Sequence, residues 1–158
     1  MPGKKIIEVN YEMPFEGMLV QAGVPKHQRV KIIAQLGSKD LEFEYKTKRL
    51  FEFEDVHYKE PILSRIASRL IRATSTGETE WKPFDIEHLL AYFMKSPAKF
   101  KSDFVFASKR VYRVDGVPHI FMMGTDKGHA DLELVKDDHP WAANTSNFPK
   151  YHRLSKAV

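Results

Sequence analysis

The sequence predicts an α+β fold: an antiparallel sheet of four to six strands with two or three helices packed on one face. Three observations carry that expectation. Residues 41–56, LEFEYKTKRLFEFEDV, alternate apolar and charged side chains; residues 61–74 place Ile62, Leu63, Ile66, Ala67, Leu70 and Ile71 at helical spacing; and Asp115-Gly116 separates two strand-like runs. Alternation of period two marks a half-buried strand, and recurrence at three and four residues marks a helix face.

The first segment, Lys5 to Tyr11, is rich in Ile and Val and reads as a strand ended by Pro14. From Phe15 to Leu36 the pattern turns helical. Pro25 suits a first helical position and Gly37 the residue past a helix end, so a short turn of helix followed by a helix at about 25–36 is expected. The pair also resembles a helix-turn-helix, but Arg29 stands where an apolar residue belongs and Gly17 falls in the first helix. Two packed helices without a role on DNA explain the same residues.

In residues 41–56, Leu41, Phe43 and Tyr45 share one strand face and Glu42, Glu44 and Lys46 the other. A turn at Lys46 to Arg49 would then return the chain through Leu50, Phe51 and Phe53 as a strand pair. Pro61 opens the clearest helix, and Asp85 is a good N-cap for another at about 85–96, with Phe84 and Leu89 placed as a hydrophobic staple. These two helices are the ones expected to cover the sheet.

Phe104 to Val114 and Val117 to Met123 form a hairpin around Asp115-Gly116, and Ala130 to Val135 is a last strand. Counting outward from the turn pairs Tyr112 with His119, Arg110 with Phe121 and Ser108 with Met123 on one face. It pairs Arg113 with Pro118, Val111 with Ile120 and Lys109 with Met122 on the other. Pro118 lacks an N–H, which places its strand at the sheet edge. Residues 136–158 read as an irregular tail of a single domain spanning 1–158, with Trp141, Phe148 and Tyr151 as anchors.

Composition narrows the chemistry. The 158 residues carry a formal charge of +4 and no cysteine, which excludes disulfides, thiolate catalysis and sulfur-ligated metal centres. No signal segment or apolar run long enough for a membrane span is present, so a cytoplasmic protein without a membrane partner is expected. No nucleotide-loop, nucleophile-elbow or zinc-helix motif occurs, and neither a cofactor nor a metal site is expected.

Charge is concentrated between residues 95 and 113, where Lys95, Lys99, Lys101, Lys109, Arg110 and Arg113 face one acid, Asp103. Arg65, Arg69 and Arg72 add a second cationic stripe on one helix face. Cations interleaved with aromatic groups are the footprint of a surface that meets phosphates and bases. The expected partner is therefore DNA or RNA, with Lys99, Lys101, Lys109, Arg110, Arg113 and the three helix arginines on phosphate, and Tyr112, His119 and Phe121 stacking. The competing expectation makes Phe121 and Val111 core residues and lets the cations snorkel to solvent. Two other classes stand beside it. One is an adaptor or inhibitor that binds a protein partner along the hairpin edge. The other is a small metal-dependent hydrolase or nuclease using Asp126, His129 and Asp131, although a turn with charged tips accounts for those residues equally.

Overall fold

The computed structural model describes residues 5–37, 40, 42–143 and 145–154. It is an α+β arrangement, and its strands divide into two four-stranded sheets rather than one. In chain order the elements are β1 (Lys5–Asn10), α1 (Phe15–Gln21), α2 (Lys26–Gln35), β2 (Lys48–Glu54), α3 (Ser64–Ala73), β3 (Lys82–Pro83), α4 (Ile86–Lys95), β4 (Phe104–Val114), β5 (Val117–Asp126), β6 (His129–Lys136), β7 (Ser146–Asn147) and β8 (Lys150–Arg153). The first sheet runs β1-β2-β8-β3 and the second β6-β5-β4-β7. Helix α4 touches both sheets, through β1 and β4.

Side-chain alternation explains the first sheet. Ile7 and Val9 of β1, with Phe51 and Phe53 of β2, point into the same core and are almost fully buried. Burying each such side chain contributes about 1.5–3 kcal/mol. The expected strand pair over 41–56 is not formed. Only Lys48–Glu54 is a strand, and it pairs with β1, with Ile7 opposite Phe51. Leu41 lies outside the described residues, while Phe43 and Tyr45 pack on Tyr11 from an irregular segment. Without glycine to close a tight turn, the chain uses residues 42–47 to cross the end of the core.

The tail is not irregular. Its strand β8 is inserted between β2 and β3, with Tyr151 opposite both Phe53 and Lys82. Strand β7 runs parallel to the start of β4. Asp55 fastens this closure by accepting from the Lys5 ammonium, Tyr92 Oη and Asn147 Nδ2. Burial acts to raise the Asp55 pKa, but these donors outweigh it and hold the carboxyl below its usual value.

Helices α2, α3 and α4 fall within the expected limits, but the buried stripe of α3 differs. Ser64, Ala67, Ser68 and Ile71 face inward, and Leu70 is exposed. Ser68 Oγ donates to the Ser108 hydroxyl at 2.7 Å, so a polar pair occupies the seam where an apolar ridge was expected. Leu19, Val24 and Ile32 of the first two helices are core residues. Gln28 of α2 accepts from the Leu132 amide and donates to Asp131, occupying part of the outer edge of β6.

The β4–β5 hairpin turns at Asp115 and Gly116, both at positive φ, and Val114 pairs with Val117 and Tyr112 with His119. Beyond Tyr112 the expected register fails. Ala107, not Arg110, lies opposite Phe121, with Phe106 opposite Met122 and Val105 opposite Met123. A bulge sets Ser108, Lys109, Arg110 and Val111 against Ile120 alone. It keeps Val105, Phe106 and Ala107 in the core while the four-residue excursion turns its polar side chains to other partners. Strand β5 is also interior, because β6 pairs with it from His119 to Asp126 and the Asp137 amide donates to the Pro118 carbonyl. Pro118 therefore marks the beginning of an interior strand, and the exposed β5 edge expected for strand addition does not exist.

Candidate functional site

The bulge and the start of α4 meet at a polar cluster. Asp85 caps α4 by accepting from the Ile86 amide at 2.8 Å, and His88 Nδ1 accepts from the Asp85 amide at 3.1 Å. This is a capping box with histidine in the position usually held by Glu or Gln. The backbone N–H is only a donor, so the bond assigns the acceptor role to Nδ1 and the proton to Nε2. His88 is completely buried, stacked on Tyr151 at 3.8 Å and edge-on to Phe51. Burial, reinforced by the charge of Lys109, holds its pKa well below the usual histidine value and keeps it neutral. Its Nε2–H is buried and has no hydrogen-bond partner among the described residues.

The peptide at the bulge turns toward this cap. The Lys109 amide donates to the Phe84 carbonyl, and Arg110 donates from Nε and Nη2 to Asp85 Oδ2 at 3.1 and 2.9 Å. Tyr112 Oη completes the set on Asp85 Oδ1. Asp85 is therefore fully engaged as cap and ion-pair partner.

Glu87 follows in the first turn, where Tyr11 Oη donates to its Oε2 at 2.9 Å and Oε1 is buried without a partner among the described residues. Burial is the main force on this carboxyl, and the charge of Asp85 acts in the same direction. Its own backbone N–H, then Tyr11 and Arg110, oppose them, leaving its pKa pushed up to about 7. A protonated or half-protonated carboxyl at neutral pH can give or take a proton where an ordinary glutamate cannot.

These groups line a cleft of about 620 Å³. Tyr11, Tyr45 and Tyr151 supply aromatic wall, Glu87, His88 and Lys109 supply polar groups, and Glu42, Glu44, Arg72 and Glu78 also contribute to the lining. Burial raises the pKa of the Tyr11, Tyr112 and Tyr151 phenols, so they remain neutral donors.

The residues expected to form a nucleic-acid surface separate into five environments. Arg65, Arg69 and Arg72 are exposed on α3, and Arg72 reaches the cleft. Lys99 and Lys101 are exposed at the short helical turn Pro97–Phe100, away from the cleft lining. Lys109 lines the cleft with its ammonium 5.5 Å from the Tyr151 ring centre, while Arg110 is held by Asp85. Arg113 is exposed and donates to the Gly116 carbonyl, and half-buried His119 has its Nδ1 2.7 Å from the Val117 carbonyl. Tyr112 and Phe121 are core residues in edge-to-face contact at 5.1 Å, so neither ring is available to stack on a base. The β4–β5 ladder requires these two rings on the inner face, and this corrects their expected role.

Asp126 and His129 are exposed and pair across the two-residue turn Lys127-Gly128, whose residues both have positive φ. Asp131 is occupied by Gln28. Among the described residues no group of three His, Asp or Glu side chains is placed to hold a metal ion. Also among them, no helix is long and apolar enough to cross a membrane.

The cleft's central residues, Glu87, His88, Tyr11 and Tyr151, carried no sequence expectation as a site. One signal was present: a helix that reads IEHLLAYFMK is apolar on most of its circumference, so the acid and imidazole in its first turn are carried inside with it. Comparison of the chain with protein-family models, with curated proteins and with solved structures gives no match.

Proposed function

We propose that the chain is an enzyme that moves a proton on a small polar molecule bound in the cleft. Glu87 is the acid–base group, and the Nε2–H of His88 is a fixed donor to the bound molecule. One observation carries this reading: two buried polar atoms in residues that line the same cleft, His88 Nε2 and Glu87 Oε1, lack partners among the described residues. Orphaned buried polar groups cost about 1–3 kcal/mol each, and a bound molecule that completes the bonding of both offsets that cost at one site. A carboxyl displaced toward neutrality by burial supports the same assignment.

The test is a panel of small metabolites screened by thermal stabilisation, followed by exchange of the bound molecule's acidic hydrogens with D₂O. The wild-type chain is expected to catalyse exchange with a rate that changes near pH 7, and Glu87→Gln to bind the same compound but lose at least a hundredfold in rate. Equal exchange rates for the two proteins would exclude Glu87 as the acid–base group.

A second reading rests on the α3 arginines. Arg65, Arg69 and Arg72 are exposed, and their helix contains no acid to neutralise them. Such a stripe supports weak binding of DNA or RNA, with Lys99 and Lys101 as further phosphate contacts. Replacing the three arginines by glutamine is expected to remove most of the affinity at low salt and to flatten its salt dependence. Unchanged binding of a duplex and a single strand would remove this reading.

A further inference from the structure

We infer that the cleft takes its ligand by an oxyanion, a carboxylate or a phosphate, held by the Lys109 ammonium and the Nε2–H of His88. This rests on the cleft being the working site and specifies the class of molecule it accepts. Of the other cations in the lining, Arg110 is committed to Asp85, Lys82 to Glu80 at 3.6 Å, and Arg153 rests over the Tyr45 ring, while Arg72 reaches the cleft from the exposed face of α3. Lys109 lines the same cleft with no ion-pair partner among the described residues, its ammonium resting over the Tyr151 ring. His88 is stacked on that same ring, and its Nε2–H is buried and unpaired among the described residues. A strong donor and a cation flanking one aromatic wall, both without an acceptor, are complementary to a negatively charged oxygen.

The rest of the cleft sets the polarity and size of the molecule. Glu87 repels the acid group whenever it is ionised, so the uncharged, proton-exchanging end of the ligand faces Glu87 and Tyr11. Glu42, Glu44 and Glu78 in the lining disfavour an extended polyanion, so the oxyanion belongs to a small molecule and not to a nucleic-acid strand.

The experiment is an NMR titration of the full chain with inorganic phosphate and, separately, with acetate, read at the His88 Nε2 resonance. Saturable displacement by phosphate assigns a phosphorylated ligand, and by acetate a carboxylic acid. Lys109→Met is expected to weaken binding of the effective probe at least tenfold, whereas Lys59→Met, on an exposed residue outside the cleft, leaves it unchanged. Glu87→Gln is expected to bind the anion as tightly as the wild type or more so. If neither anion moves the His88 resonance, or Lys109→Met binds as well as the wild type, the oxyanion assignment is overturned. In that event Glu87-dependent proton exchange still stands or falls separately, because it is read with a different variant and a different signal.

Discussion

Phe121→Ala is expected to lower the unfolding free energy by about 3–5 kcal/mol. The side chain has no exposed surface and lies against Tyr112 and Phe15 in edge-to-face contact. Truncation removes both ring contacts and leaves a cavity lined by residues fixed on β4 and α1, which cannot collapse to fill it. Denaturant unfolding measures the loss directly. A surface ring used for stacking would cost less than about 1 kcal/mol when removed, and a loss that small would contradict the core position of Phe121.

The second large effect belongs to Asp85. Asp85→Ala is expected to cost about 3 kcal/mol, combining a lost helix cap with the partners left unsatisfied at Arg110 and Tyr112. Asp85 is almost wholly buried while Arg110 is partly exposed, so the guanidinium recovers some hydration and the loss stays below that of a fully buried ion pair. Asp85→Asn retains a cap acceptor and should lose less. Equal stability of the alanine variant and the wild type in chemical denaturation would show that the capping box does not hold α4. Because the Asp85 carboxylate holds Arg110, next to Lys109 in the bulge, the alanine variant should also weaken ligand binding, although the backbone amide that orients His88 is retained.

Local features were legible in the residues, and features that depend on distant segments were not. Asp115-Gly116 specified its turn because two positive-φ residues suit few other structures, and Asp85 identified the start of α4 by its cap chemistry. The bulge at Ser108 to Val111 was not legible, since nothing in a strand of mixed cations and apolar groups says where pairing breaks. Its cause lies in the partners, with Ser108 drawn to Ser68, Lys109 to Phe84 and Arg110 to Asp85. Lys150–Arg153 gave little local strand signal and owes its place to the gap between β2 and β3. The basic window at residues 95–113 is charged as its composition implies, but the fold divides it between surfaces. Lys109 and Arg110 enter the cleft, whereas Lys99 and Lys101 remain outside it.

The pH response of stability carries the same signature as the site. Glu87 holds its proton more tightly in the fold than the ordinary value of 4.5 in the unfolded chain. Between that value and about pH 7 the folded chain binds a proton that the unfolded chain has released. This contribution makes stability fall as pH rises through the window and level off above it. Glu87→Gln removes this contribution.

The most direct measurement is the carboxyl carbon resonance of Glu87 followed by NMR from pH 3 to 9 in the ligand-free chain. A midpoint near 7 is the predicted result, because burial and Asp85 both oppose ionisation. A midpoint at the ordinary value of 4.5 would show a solvated surface carboxylate and contradict the assignment of Glu87 as the proton-transfer group of the cleft.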